Sequence, residues 1–433
     1  MTATCVSQTF VAARQRGLAP VAILFMACLA VPIILQLGSI RLSPYRIVLL
    51  AMCLPCIWAW LSGAMGRAQT PDLLVLGIAG WSALSFLHVH GVRNGLEAAG
   101  IVFIETLIPY LLARLYIRSL DDFLAMVRML VVVVMILLPF AIIETVSGWN
   151  SLIDAIGSMF PTFPDVAKPL RLGLDRVQGP FEHPILFGVF CGSALALGFY
   201  AFRQHRLLIT AAVFLTSALS LSSGPMAALV AQVGMIAWDR TFLRHSSRWI
   251  WLIALSIAAY VTVDLISNRS PVEVFISHLA FNSDTAYNRI LIWEWGWVNI
   301  WQNPWFGLGN GDWQRLWFMT PSVDMFWIQR AMVHGLPVGL FYQLVFIWLI
   351  CRLVRLQELE ERTSRCRAGL VICYIGLYCA GMTVHFWNAT FVWLMFLMGS
   401  AGWLLDSNRL VGLRPDPAEL LYPTSPKGIL DPA

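Results

Sequence analysis

The chain has 433 residues, of which 58% are hydrophobic and 12% charged, with a formal net charge of +5. So few charges cannot coat a soluble protein of this length, and the apolar runs are long enough to cross a hydrocarbon layer. Continuous runs, rather than alternation over about ten residues per strand, exclude an outer-membrane barrel and leave an all-α, polytopic transmembrane helical bundle.

In chain order the apolar segments predict spans near 18–37, 43–62, 72–89, 96–117, 124–146, 184–202, 207–222, 225–238, 249–267, 334–354, 368–385 and 388–406, about 12 in all. The first is too long for a cleaved signal core and has no small-residue cleavage site, so it reads as a span. The pair on either side of Ser222, Ser223, Gly224 and Pro225 is short of the usual 20 residues, as expected of broken or re-entrant segments covered by protein or lining a wet cavity. Residues 1–417 form a single integral membrane domain, and 418–433 a short cytoplasmic tail.

Placing the N-terminus inside distributes Lys and Arg 19 against 10 in favour of the inner segments. Both termini are then cytoplasmic, and two long loops, 147–183 and 268–332, lie outside. Both are rich in Pro, Gly, Asp and Trp, which stop spanning helices and favour turns and interfacial seating. The inner link 352–367 mixes acids and bases and reads as a plain solvated connection. No internal repeat is visible, and carboxylates inside spans are few, chiefly Glu105 and Glu144, each of which can pair with a nearby cation or serve ion coupling. The nine cysteines sit mostly in apolar segments without ligand-like pairing and read as small fillers.

The first outer loop ends in RLGLDRVQGPFEHPILFG over 171–188. Arg171 and Arg176 can hold phosphate oxygens through charge-assisted hydrogen bonds, or simply meet anionic headgroups. His183, beside Pro184 at the mouth of a span, is placed to exchange protons near neutral pH.

The second loop contains RILIWEWGWVNIWQNPWFGLGNGDW over 289–313, read as an interfacial helix beginning at Arg289, closed by Pro304 and followed by a turn at Gly307, Gly309 and Gly311. Trp301 and Trp305, among its tryptophans, offer flat faces to sugar rings or anchor the segment at the membrane surface. No Gly-Lys-Ser/Thr follows the glycines, so a nucleotide-phosphate loop is excluded. In TPSVDMFWIQRAMVHGLPVGLFYQLVF, over 320–346, Asp324 and Arg330 approach a span and His334 stands at its entrance. An acid and an imidazole on one face suit glycosyl transfer, in which the acceptor hydroxyl loses its proton; the plain alternative is a helix cap and an interfacial histidine.

Arg289 followed by PWFGLG from Pro304, preceded by Arg176 and GPFEHP, resembles the superfamily of Wzy-type polysaccharide polymerases and O-antigen ligases, over about 171–346. The resemblance implies a C-type glycosyltransferase-like bundle in a bacterial inner membrane that takes glycans from undecaprenyl diphosphate at the periplasmic face, with neither cofactor nor metal. It implies Arg176 and Arg289 as diphosphate-binding catalytic residues, with Arg171, Arg330, Trp301 and Trp305 around the substrate and His183, His334 and Asp324 as candidate acid–base groups. The implied partners are the lipid-linked glycan, membrane lipids, and a chain-length regulator and flippase of the same pathway, with no nucleic acid. Two departures stand out. SLSSGP at Ser220 lacks the arginine that many members show there, and SVDMFW replaces a His-Asn pair. The second departure favours a polymerase of repeat units over a ligase to lipid A-core; a flippase or transporter is the third reading.

Overall fold

The computed structural model describes residues 18–411 except 39, 167, 246, 272, 275–282, 357 and 358, with backbone alone at 283–286 and 407–411. The expected tail at 418–433, and the N-terminal arginines used for orientation, lie outside the described residues.

The chain opens with α1 (Pro20–Cys28), a two-stranded antiparallel hairpin of β1 (Leu35–Leu37) and β2 (Ile40–Leu42) that pairs Gln36 with Arg41, and then α2 (Pro44–Leu61). The expected first span is therefore a nine-residue helix followed by an extended turn, because Pro32 and Gly38 interrupt it. Next comes α3 (Thr70–Tyr116), whose Gly91 leaves helical geometry at φ 72 and ψ 162. Arg114, near its end, reaches Asp72, near its start, at 3.3 Å, so the 47-residue element is a helical hairpin folded at Gly91. The expected spans 72–89 and 96–117 are its two legs.

There follow α4 (Leu120–Ser147), the short α5 (Ser151–Gly157), α6 (Pro184–Gly192), α7 (Ala194–Ala201), α8 (Arg206–Ala218), α9 (Ser223–Thr241) and α10 (Arg248–Ile266). Then come α11 (Ser283–Gln302), α12 (Phe326–His334), α13 (Leu336–Val354), α14 (Glu361–Gly381), α15 (Asn388–Gly399) and α16 (Gly402–Val411). Among the described residues seven helical stretches are long and apolar enough to cross a membrane, fewer than the 12 expected. Part of the difference is physical. The α3 hairpin holds two helices joined at the Gly91 kink and counts once, α1 and α8 are too short, and α14 opens on Glu361, Arg362, Arg365 and Arg367.

α3 lies at the centre, packed on α15, α13 and α2, while α14 packs on α9 and α7. One core runs through all of these helices, and a smaller one built from Leu291, Ile292, Ile300, Trp313 and Met332 sits between α11, α12 and their connection. The polar excursion is thus a folded cap with its own core, and Trp293, Trp295 and Trp297 pack against that core. Outward side chains such as Leu54, Trp58, Val146 and Leu265 are more than 70% exposed, an apolar surface that only lipid can cover.

The α3–α15 contact depends on Gly399, where a Cβ would overlap the Tyr110 carbonyl oxygen. Gly399→Ala should destabilise the protein by about 1–3 kcal/mol through overpacking, read as a lowered Tm in detergent. Gly234→Ala, with nothing within 4 Å of the new methyl group, should be neutral or stabilising; equal Tm values for the two variants would contradict this packing.

Candidate functional site

Local chemistry fixes the 161–183 segment before any function is considered. α4 ends on Gly148 in the left-handed region (φ 71), and the buried Glu144 carboxylate one turn earlier accepts the backbone N–H groups of Gln178 at 2.7 Å and Gly179 at 2.9 Å. Lys168 completes the carboxylate's shell at 3.0 Å. Val177 N–H bonds the Leu219 carbonyl, joining the loop to the reversal between α8 and α9. That reversal is strained: Leu221 has φ 44. Glu144 is therefore a staple, and Glu105 is likewise paired, with Arg46 at 2.7 Å.

Three arginines converge on the reversal. Arg171 donates to the Leu221 carbonyl at 2.6 Å, Arg176 to the Ser222 hydroxyl at 2.8 Å, and Arg289 to the Ser223 hydroxyl at 3.1 Å. Arg176 and Arg289 are 6% and 4% exposed, and the Nε of each has no hydrogen-bond partner. Among the described residues neither meets a carboxylate at ion-pair distance. Burial pushes both guanidinium groups down to about 10; Arg171 adds repulsion to each, while Asp324 partly offsets it at Arg289. Both remain charged at neutral pH. Arg289 is not the first residue of its helix, as expected from the sequence. α11 begins at Ser283, which places Arg289 in its second turn.

His183 caps α6: its Nδ1 accepts the Ile185 N–H at 3.2 Å. The neutral ring therefore carries its proton on Nε2 and presents a donor, which is at odds with the expected role of base. Burial, reinforced by Arg176, pushes its pKa down to about 4, and Asp324 opposes the shift. Asp324 accepts from the Ser322 hydroxyl at 2.6 Å and caps no helix; its field reaches both His183 and Arg289.

Three cavities meet at Trp387, whose ring is 6.1 Å from that of His183. One, of about 280 Å³, is lined by Asp324, Asn310, Gln329 and His385. The next, of about 300 Å³, is lined by Arg330, His334, His385, Arg46 and Glu105. The third, of about 600 Å³, opens past Arg46, Glu182 and Asn388 toward the β hairpin. Arg330 stands 4.4 Å from the centre of the Phe391 ring and donates to the Phe386 carbonyl at 3.3 Å. Burial, with Arg330 adding repulsion, pushes the pKa values of His334 and His385 well below the usual imidazole range, and the Nδ1 of each lacks a partner. Both rings are neutral at pH 7.

The structure thus gathers the sequence-selected Arg171, Arg176, Arg289, His183 and Asp324 into one neighbourhood, with Arg330 and His334 on an adjoining cavity. Arg176 and Arg289 line none of the three cavities and are held against the reversal by Ser222 and Ser223. Trp301 and Trp305 also line none of the three and are about two-thirds exposed. Sequence reasoning missed Arg46, His385, Trp387 and Asn388. The signals were an arginine in the first turn of a span and the run His-Phe-Trp-Asn at 385–388, just before another. Among the described residues no group of three His, Cys, Asp or Glu side chains is placed to hold a metal ion.

No protein-family model matches the sequence, and no curated protein matches it.

Two outcomes test this architecture. Glu144→Ala leaves the buried N–H donors of Gln178 and Gly179 without an acceptor and Lys168 with Asp165 alone, at 3.2 Å, at about 1–3 kcal/mol per buried donor, so limited proteolysis should cut faster within 158–175; an unchanged rate would remove the staple. For His183 the folded pKa lies below the unfolded value, so its contribution to stability is full above about 6.5 and is lost as pH falls toward about 4. His183→Asn keeps a capping oxygen and should flatten part of the Tm decline over that window.

Proposed function

We propose that the chain is a membrane glycosyltransferase that polymerises oligosaccharide repeat units carried on undecaprenyl diphosphate, with its site facing the periplasm of a bacterial inner membrane. The observation that carries the reading is the pair Arg176 and Arg289: buried, charged, held by serine hydroxyls, and linked through the field of Asp324, which reaches Arg289 and His183, to the cavity that Asp324 lines with His385. Burying a guanidinium without a counter-ion costs several kcal/mol, a cost that an incoming anion offsets. Phosphate oxygens compete with Ser222 and Ser223 for the same N–H groups and form the stronger, charge-assisted bonds.

The chemistry follows from this arrangement. As the bond from the anomeric carbon to the diphosphate oxygen breaks, negative charge grows on the leaving group, and fixed guanidinium groups in a low-dielectric setting stabilise that charge more than they stabilise the ground state. The acceptor hydroxyl attacks the anomeric carbon from the cavity side and releases its proton to a neutral imidazole. His385 and His334 are suited to this by charge state and open Nδ1 atoms; His183 instead donates a hydrogen bond.

The same two imidazoles favour a second reading, transfer of a finished glycan to a lipid acceptor, since they supply a base that the sequence at 322–327 lacks. The transporter reading asks for mobile intramembrane charge, whereas Glu105 and Glu144 are already paired.

Purified protein given one lipid-linked repeat unit should yield a ladder of products. Single transfer only after a lipid acceptor is added would instead establish the ligase reading, and neither reaction would remove both. Arg289→Ala and Arg176→Ala should each lower the rate by about 100-fold or more at unchanged membrane level, and normal product length would exclude the residue concerned.

A further inference from the structure

A second cluster of arginines lies at the other end of α9. From Ser223 to Arg240 the helix rises about 25 Å, so this cluster is separated from the candidate site by most of a membrane's thickness. Here α9, α10 and the start of α14 enclose a cavity of about 650 Å³ with two unlike walls. Its inner end carries Arg240 and Arg365, and its flank is apolar, built from Trp249, Leu252, Ile253, Ile350, Val354 and Ile375. A polar cavity of about 560 Å³, bordered by Arg128, Arg203 and Arg362, adjoins it and shares Arg365 and Tyr200.

Two of the nearby carboxylates are already engaged, and Glu360 borders the second cavity. Asp239 accepts from the Tyr200 hydroxyl at 2.6 Å and pairs with Arg248 at 2.9 Å, while Glu361 meets Arg203 at 3.5 Å in an exposed pair. Arg367 is satisfied by the Leu356 carbonyl and the Ser364 hydroxyl. In contrast, Nε and one terminal nitrogen of both Arg240 and Arg365 are buried with no hydrogen-bond partner. Arg240 is held over the rings of Phe199 and Tyr200, at 5.2 and 5.0 Å. Two cations with open donors thus share one recess. The link before α14, which reads as plain solvated connection from the sequence, contributes part of it.

The apolar flank identifies the rest of the ligand. α10 contributes no buried residue to the bundle, and its main helix contact is α9. Its lower half therefore faces α13 and α14 across the cavity rather than packing on them, and within a bilayer only hydrocarbon fits such a gap. We propose that this recess binds an anionic glycerophospholipid, its phosphate on Arg240 and Arg365 and its acyl chains between α10 and α13. Charge complementarity selects the headgroup and the apolar wall selects a lipid over a free anion. The bound lipid joins α10 to the bundle.

The test uses the full chain in nanodiscs of phosphatidylcholine containing phosphatidylglycerol, with lipids retained after exchange into neutral lipid counted by mass spectrometry. Wild-type protein should retain phosphatidylglycerol at least tenfold above its bulk ratio, and excess inorganic phosphate should not displace it. The Arg240→Gln, Arg365→Gln double variant should lose the enrichment. Ile253→Trp, which fills the apolar flank and leaves both arginines in place, should lose it too and decides the matter if the double variant does not fold. Absence of enrichment in wild type, enrichment undiminished in Ile253→Trp, or displacement by phosphate alone would each overturn the proposal. The outcome is independent of glycan transfer, since no residue of the Arg176–Arg289 neighbourhood is altered.

Discussion

Positive charge held below the protein surface without a carboxylate beside it is the constraint around which the polar end of this bundle is arranged. Arg176 and Arg289 each face a serine hydroxyl, both are buried, and Arg171 adds repulsion to each. Such a cluster persists only if its backbone is held firmly by other means. Glu144 provides that hold. Its two oxygens take the N–H groups of Gln178 and Gly179, so the segment carrying Arg176 is anchored to the end of α4 rather than to its own charge. The smaller core between α11 and α12 does the same for Arg289, with Ile292 and Leu291 buried next to it. Charge and scaffold are thereby separated: the groups that store electrostatic cost are not the groups that stabilise the loop.

The two ends of α9 share one device and differ in what completes it. At Ser223 the neighbouring walls are polar and aromatic, and the cavities open past Trp387 and Asn388. At Arg240 the neighbouring wall is aliphatic and continuous with the lipid-facing surface of α10. The first setting suits an anion attached to a polar head, the second an anion attached to hydrocarbon. The two ligands proposed above, a glycan diphosphate and a membrane phospholipid, differ in this respect.

Helical class was legible in the sequence because long apolar runs have few alternatives in a chain with so little charge. Legibility failed where a helix boundary depends on backbone geometry rather than on hydropathy. The spans expected at 72–89 and 96–117 are two helices joined by a kink at Gly91, a break whose place hydropathy does not fix. In 18–37 the apolar run hides an extended turn. The arginines and the glycine turn at Gly307 and Gly309, with φ of 65 and 58, were readable because both residue types are rare where they are not needed. His385 and Trp387 were not, since their position depends on how α15 meets α12 across more than 50 residues of sequence. Aromatic rings suit a sugar, a membrane surface and a protein core alike, and only packing separates Trp293, Trp295 and Trp297, which lie against the smaller core, from the exposed Trp301 and Trp305.

The state of the histidines links fold to chemistry. Burial, with the Arg330 charge beside them, keeps His334 and His385 unprotonated, so neither ring needs a carboxylate partner to stay neutral. The weakness of such a base is that it takes up a proton reluctantly. In the reaction proposed above, departure of a diphosphate whose charge is already neutralised would reduce the demand on it, because bond breaking at the anomeric carbon would then run ahead of proton transfer. His183, fixed as a donor by capping α6, can add a hydrogen bond but cannot share that task without releasing the Ile185 N–H. Burial of arginine and neutrality of histidine are on this account two consequences of one electrostatic choice, while the acids that line the cavities with His385 are Glu105, paired with Arg46, and Asp324.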